Sequence, residues 1–290
     1  MASDSKVFLN GRLVPRAEAC VPVMDRGFLF GDSVYEVIPV YGGHLFRLDH
    51  HLDRLDSSLA AIWMTNPLTH EAWKAALRDL VGQRPGEDQS VYLQVTRGAA
   101  EKRDHAIPEG VTPTVFAMTT PLAPIDPAVA ADGIAAITLD DLRWQRCDIK
   151  ATTLLANVLA RQIAKEQGAL EAILIRDGLA LEGAASNLFV FASGRLLTPP
   201  KSRYLLPGIT RDLVIELAQA NHLPLSEGDV AASALATADE IWLTSSTREV
   251  MPVTRLDGRP VGGGRPGPVW RRMNELYQAY KARLREQRDA

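Results

Sequence analysis

Seven of the 32 basic residues are lysines and the other 25 are arginines. A reaction that needs a reactive amine therefore has a short candidate list: Lys6, Lys74, Lys102, Lys150, Lys165, Lys201 and Lys281. Lys150 is the most informative. It closes the segment DLRWQRCDIK, where a strand-like run meets Thr152-Thr153, residues that suit a helix start. Trp144, Cys147 and Ile149 give it a partly apolar setting. An ammonium deprived of hydration loses its proton more easily, and the free amine is a nucleophile. The plainer reading is a solvated lysine at a strand end.

Other segments offer places for anions. In PGIT (207–210) a Gly turn precedes a helix, so the amides of Ile209 and Thr210 stand at a helix N-terminus, which favours phosphate. Here Thr210 is also read as an ordinary cap. Thr244-Ser245-Ser246-Thr247 follows a strand with four hydroxyls, either a phosphate loop or a turn. Arg54, in HLDRL, can add a charge-assisted bond to an anion or remain a solvated helix charge. Glu182 ends the apolar strand Leu179-Ala180-Leu181, and a buried carboxylate there needs a partner, either a protonated ring nitrogen or an arginine. Arg103 and His105 lie two positions apart in a polar loop and suit a carboxylate clamp, or simply face water.

These residues need a frame. Val7-Phe8-Leu9, Asn10-Gly11 and Leu13-Val14 read as a hairpin. Leu48, Leu52, Leu55 and Leu59 have helical spacing, and a second helix is expected over 71–81. Strands are expected at 90–97 and 114–118. TTPLAPIDP (119–127) reads as a stiff linker. Beyond it come a strand at 134–139 and a helix at 154–167 with Leu155, Val158, Leu159 and Ile163 on one face. A hairpin about Asp177-Gly178 follows, then strands at 187–191 and 241–243, and helices at 210–220 and 269–284. The chain thus reads as a mixed α and β (α+β) protein of two domains. Residues 1–118 form the smaller, 119–127 the linker and 128–290 the larger, which carries Lys150. Regular βαβ alternation is not seen.

Composition sets the outer limits. The chain has 290 residues, a formal net charge of -3 and an apolar share of 46%. Such a balance argues against a nucleic-acid binder with a broad basic surface. No apolar run reaches the roughly 20 residues of a membrane span. The start, MASDSKVFLNGR, lacks the basic and apolar segments of a secretion signal. Cys20 and Cys147 form no metal cluster and no disulfide framework. A reducing, cytoplasmic setting is expected. The remaining histidines, His51 among them, and Cys147 are read as ordinary packing residues.

In order along the chain, DRGFLFGDSVYEV (25–37), HLDRL (51–55), YLQVTRG (92–98), WQRCDIK (144–150), EAILIRDG (171–178), LEGAASNLF (181–189), LPGITRD (206–212) and LTSSTREVMPV (243–253) resemble the class IV, fold type IV, pyridoxal-phosphate aminotransferases. The resemblance covers nearly the whole chain. WQRCDIK and Arg103-Asp104-His105 make it most similar to the D-amino acid transaminases. Ala184 and Ala185 stand where the bacillary enzymes carry serines, and the loop 98–103 is one residue longer.

The resemblance implies the two-domain fold type IV architecture and pyridoxal 5'-phosphate as cofactor. It implies that Lys150 holds the cofactor as a Schiff base and shuttles the α-proton, and that Glu182 pairs with the ring nitrogen. Arg54, Ile209, Thr210 and Ser246 would hold the phosphate, with Ser186, Asn187 and Leu206 as further cofactor contacts. Tyr35, Arg103 and His105 would bind the substrate carboxylate, the last two reaching over from the other subunit of a homodimer. Substrates would be D-amino acids of the D-alanine and D-glutamate type with 2-oxoglutarate or pyruvate. The same fold also serves branched-chain L-aminotransferases, aminodeoxychorismate lyases and (R)-amine transaminases. A dimer that binds the cofactor without catalysis is a further reading, against which the intact Lys150, Glu182 and Arg54 argue.

Overall fold

The computed structural model describes residues 5–286. Residues 1–4, where the segment MASDSKVFLNGR begins, and 287–290 lie outside the described residues. The chain divides into two compact units. Unit 1 takes the residues up to Ala123, Ile149–Thr153 and those from Leu284 onwards; unit 2 takes Pro124–Asp148 and Leu154–Arg283. The crossing between Ala123 and Pro124 falls inside the expected 119–127 linker. The expectation that 128–290 forms one domain carrying Lys150 differs from this division, and the backbone shows why. Tyr35 N donates to Lys150 O at 3.0 Å and Thr152 N to Ser33 O at 3.1 Å, so residues 149–153 run beside a unit 1 strand.

Unit 1 contains β1 (Lys6–Leu9), β2 (Arg12–Pro15), α1 (Arg26–Phe30), β3 (Ser33–Tyr41), β4 (His44–Leu45), α2 (Leu48–Ala61), α3 (His70–Val81), β5 (Gln89–Thr96) and β6 (Thr114–Pro121). Its strands form one antiparallel sheet in the order β2-β1-β6-β5-β3-β4. β6 extends to Pro121, so the expected linker begins as strand. Leu52, Leu55 and Leu59 of α2 are buried with Val34, Ile38 and Trp73, as their spacing predicts.

Unit 2 contains α4 (Pro127–Asp132), β7 (Ile134–Asp140), α5 (Leu155–Glu166), β8 (Glu171–Arg176), β9 (Leu179–Gly183), β10 (Asn187–Ala192), β11 (Arg195–Thr198), α6 (Ile209–Ala220), β12 (Leu225–Glu227), β13 (Glu240–Ser245), β14 (Glu249–Leu256), β15 (Arg259–Pro260) and α7 (Pro268–Glu286, its last residues counted with unit 1). The sheet path is β12-β11-β10-β13-β14-β7-β8-β9, and β9 pairs again with β10. That pairing closes six strands into a barrel, and its register sets Asn187 opposite Glu182. The tight turn between β8 and β9 has positive φ at both Asp177 and Gly178, the geometry an Asp-Gly pair supplies.

Two local expectations change. Thr210 does not cap its helix: the N-cap of α6 is Gly208, and Thr210 is buried inside the first turn. The apolar face of α5 is uncovered. Leu155 is 71% exposed, Val158 59%, Leu159 54% and Ile163 40%, while Ala160 and Ala164 pack inward.

Candidate active site

Within unit 1, Lys150 is fixed by its main chain. Its N–H donates to Ser58 Oγ of α2 at 3.2 Å and its C=O accepts from Tyr35 of β3. The side chain lies over the Tyr35 ring, Nζ 4.3 Å from the centroid. Tyr35 stacks on Tyr92 with centroids 5.7 Å apart. In the segment that leads to Lys150, Cys147 and Ile149 are buried as expected, whereas Trp144 is half exposed.

Arg54 is not a solvated helix charge. Its Nε and Nη2 donate to Glu36 Oε1 and Oε2, both at 2.7 Å, a fork-on-fork pair in a buried setting. His51, one turn earlier on α2, bonds Glu36 Oε2 through Nδ1 at 2.7 Å. Burial pushes the Glu36 carboxyl upward, but the charge and bonds of Arg54, with His51, outweigh it and hold it at about 2. Burial lowers His51, against the pull of Glu36. The His51 Nε2 is buried and has no hydrogen-bond partner among the described residues. Arg103 and His105 are exposed on the loop between β5 and β6.

Within unit 2, Glu182 sits near the end of β9 and is buried. Of its two expected partners, the arginine is present: Arg143 Nη1 donates to Oε1 in a short contact. Asn187 Nδ2 and Leu206 N donate to Oε2, each at 3.1 Å. Arg143 is itself held by Asp141, through Nε at 2.9 Å and Nη2 at 3.0 Å, and Asp141 also takes Arg176 at 3.0 Å. Burial raises Glu182, Arg143 and the Leu206 amide oppose it, Asp141 adds to it, and the carboxyl ends at about 7. Asn187 Nδ2 also donates to Leu206 O at 2.8 Å, and Gly208 lies so close that a Cβ would meet Asn187 Oδ1 at 1.9 Å. Ser186 turns to Glu171, its Oγ donating at 3.3 Å.

The amides of Ile209 and Thr210 open α6, where helical N–H groups have no intrahelical acceptor. α6 packs against β13. The expected hydroxyl loop is half strand: Thr244 and Ser245 end β13, and Ser246 and Thr247 form the turn. The hydroxyls of Thr210 and Thr244 are both buried and have no hydrogen-bond partner among the described residues.

The model of the amino-transferase class IV family matches residues 33–256. This chain belongs to that family. The D-alanine aminotransferase of Bacillus licheniformis is 44% identical over 273 residues, 94% of this chain and 96% of that protein. The D-alanine aminotransferase of Listeria innocua is 40% identical, covering 94% of each. Among solved structures, the branched-chain amino acid aminotransferase of Escherichia coli superposes with a TM-score of 0.88 at 28% identity, over 96% of this chain and 94% of that one. The branched-chain aminotransferase of Thermoproteus uzoniensis, solved with norvaline, gives 0.86 at 28%, over 97% and 96%.

Class IV aminotransferases use pyridoxal 5'-phosphate, and this chain's donor set suits it. A phosphate would satisfy the first-turn amides of α6 and would give the Thr210 and Thr244 hydroxyls an acceptor. Glu182 uses three of about four lone-pair positions, leaving one on Oε1 for a ring N–H. Nothing in the sequence alone singles out Arg143, Asp141 or Glu36. Arg143 is marked only by its place in DLRWQRCDIK, and nothing in that segment names its partner.

Proposed function

We propose that this chain is a D-amino acid transaminase, converting D-alanine and 2-oxoglutarate to pyruvate and D-glutamate. The observation that carries the reading is the 44% identity to a D-alanine aminotransferase over nearly the full length of both proteins. The two branched-chain enzymes that share the fold are each 28% identical.

When bound, pyridoxal phosphate supplies the electron sink that makes an α-carbanion accessible at neutral pH. The chain's own residues do the rest. Lys150 is the amine that carries the cofactor, and its Nζ takes the α-proton and returns it; the Tyr35 face limits where Nζ can swing. Glu182, steadied by Arg143, Asn187 and Leu206 N, accepts from the ring N–H. Ile209 and Thr210 amides, the Thr210 and Thr244 hydroxyls, Ser246 and Arg54 bind the phosphate, Arg54 being oriented by Glu36 through Nε and Nη2. Ser186, Asn187 and Leu206 line the cofactor. Tyr35, Arg103 and His105 hold the substrate carboxylate and so fix which face of the α-carbon meets Lys150.

The active form is a homodimer. The uncovered Leu155, Val158, Leu159 and Ile163 on α5 support this, since such a stripe seeks a partner; Val158→Asp should turn a sedimenting dimer into monomer. A reducing, cytoplasmic setting agrees with the two free thiols, Cys20 and Cys147. Among the described residues no helix is long and apolar enough to cross a membrane.

The test mixes the purified holoprotein with D-alanine and, separately, with L-leucine. D-Alanine should convert the visible absorbance to that of the amine form and release pyruvate. Conversion by L-leucine alone overturns the reading. Lys150→Ala should lose the visible band and lower turnover by about 10³-fold or more.

A further inference from the structure

The motif DRGFLF (25–30) has no part in the chemistry above, yet its Phe30 meets Arg103 and His105 directly. We propose that Phe30 and Arg26 are positioning residues that hold Arg103 and His105 ready to grip the substrate carboxylate. This rests on the carboxylate role given to those two side chains.

Residues 97–113 join β5 to β6 without a helix or strand, a length at which loops are commonly mobile. Here α1 ties the loop down. Arg26 N donates to Gly98 O at 2.9 Å and Ala100 N to Met24 O at 3.3 Å. The Arg26 guanidinium then reaches further along, Nη1 donating to Asp104 O at 2.5 Å and Nη2 to His105 O at 3.4 Å. Both carbonyls lie within the Arg103–His105 stretch. Arg26 is buried, and its Nε donates to Asp32 Oδ2 at 2.8 Å. Asp32 is fixed in turn by Arg97, at 2.7 and 3.0 Å.

Phe30 sets the side chains. The Arg103 guanidinium carbon lies 4.8 Å from its ring centroid, and the His105 ring lies 5.2 Å away, tilted by 47°. Arg26 also lies over this ring at 4.8 Å. One aromatic ring thus contacts both members of the pair and the arginine that holds the carbonyls of Asp104 and His105. The platform is rigid. Asp25 caps α1 through Gly27 N at 2.7 Å and accepts the Thr96 and Thr114 hydroxyls at 2.9 and 2.6 Å. A Cβ on Gly27 would sit 2.5 Å from Thr96 Cγ2, so the helix lies hard against β5.

Phe30→Leu is the deciding variant, because it keeps apolar bulk and removes the π face. In the holoenzyme, KM for D-alanine and for 2-oxoglutarate should rise about tenfold while kcat stays within about threefold, the pattern of lost uniform binding. Cofactor affinity should not change. Without substrate, amide exchange over residues 101–107 should quicken in Phe30→Leu and in Arg26→Met, while β5 and β6 keep their protection. Phe30→Tyr should restore both readouts. Arg26→Lys should not, because Asp32 and the two carbonyls are met by three separate nitrogens of the guanidinium, a spread that a single ammonium nitrogen does not have. An unchanged KM in Phe30→Leu, or unchanged exchange over 101–107, overturns the proposal. The carboxylate role itself is tested apart, by Arg103→Met and His105→Gln: an unchanged KM there removes that reading whatever Phe30 does.

Discussion

Glu36 in unit 1 and Glu182 in unit 2 are both buried glutamates facing an arginine, and they end at opposite acidities. Glu36 is held at about 2 and Glu182 at about 7. Burial pushes both upward, so the difference lies in how many bonds each arginine gives its glutamate and in what other charge stands beside it. Arg54 gives two parallel bonds to Glu36, with His51 as a third donor. Arg143 gives Glu182 one contact and turns its other edge to Asp141, whose charge works against Glu182 ionising. An arginine that gives one carboxylate two bonds of its fork makes a fixed anion suited to anchoring a cation and a helix. One that divides its bonds between two carboxylates leaves Glu182 with a charge that responds to a new donor, as its proposed pairing with a cofactor ring requires.

The comparison is broken most directly by removing each charge. Glu36→Gln leaves Arg54 buried without its counter-ion and should cost about 3–5 kcal/mol of unfolding free energy in urea. Glu182→Gln should cost about 1–2 kcal/mol, since Arg143 keeps Asp141. Turnover should reverse the order of severity per unit of stability: Glu182→Gln should lose about 10²-fold while remaining folded. Equal stability losses in the two variants would show that the sharing of the arginines does not matter.

Acidity should also show in stability against pH. Glu36 gives up its proton more readily folded than unfolded, so between pH 4.5 and about 2 the unfolded chain binds more protons. The stability it contributes is present above 4.5 and is lost as pH falls through that window. Glu182 is the reverse: the folded chain binds more protons between 4.5 and about 7, so stability falls as pH rises there. Each contribution is of order 3 kcal/mol. It is read as the difference between wild-type and Gln-variant denaturation across pH, and the two differences should slope in opposite directions.

Both glutamates show what a linear sequence displays and what it hides. The leucine spacing of α2 and the Asp-Gly turn before β9 are local, and they place Arg54 on a helix and Glu182 on a strand. Glu182 stands out in the sequence because a carboxylate ending an apolar strand needs a partner. Its partners are set by folding: Arg143 lies 39 residues away and Leu206 24 residues away. Glu36 does not stand out because it sits in VYEV, where β3 alternation alone does not reveal that both faces are covered. His51 reads as packing, and its bond to Glu36 spans 15 residues from helix to strand. The cap of α6 lies two residues before the expected one, since Gly208 without a side chain fills a place for which Thr210 looks better suited. The face of α5 is legible as a stripe, but a stripe does not say whether its cover lies in the same chain.

The finest probe alters the sharing and leaves the carboxylate in place. Arg143 lowers Glu182 and Asp141 raises it. Arg143→Met should therefore push the Glu182 carboxyl above about 7, and Asp141→Asn should bring it below, both by the removed charge and by freeing Arg143 to turn its second edge to Glu182. Shifts of about one unit in opposite directions are expected. They can be read by carboxyl-carbon NMR of the cofactor-free protein, with Arg176 remaining on Asp141 in the first variant and Cys147, pushed up to about 11 by burial, staying neutral in both. Any purely structural role for the Glu182–Arg143–Asp141 contacts predicts loosening in both variants, hence shifts of one sign. Opposite signs require Asp141 to set the acidity of Glu182 through the arginine they share.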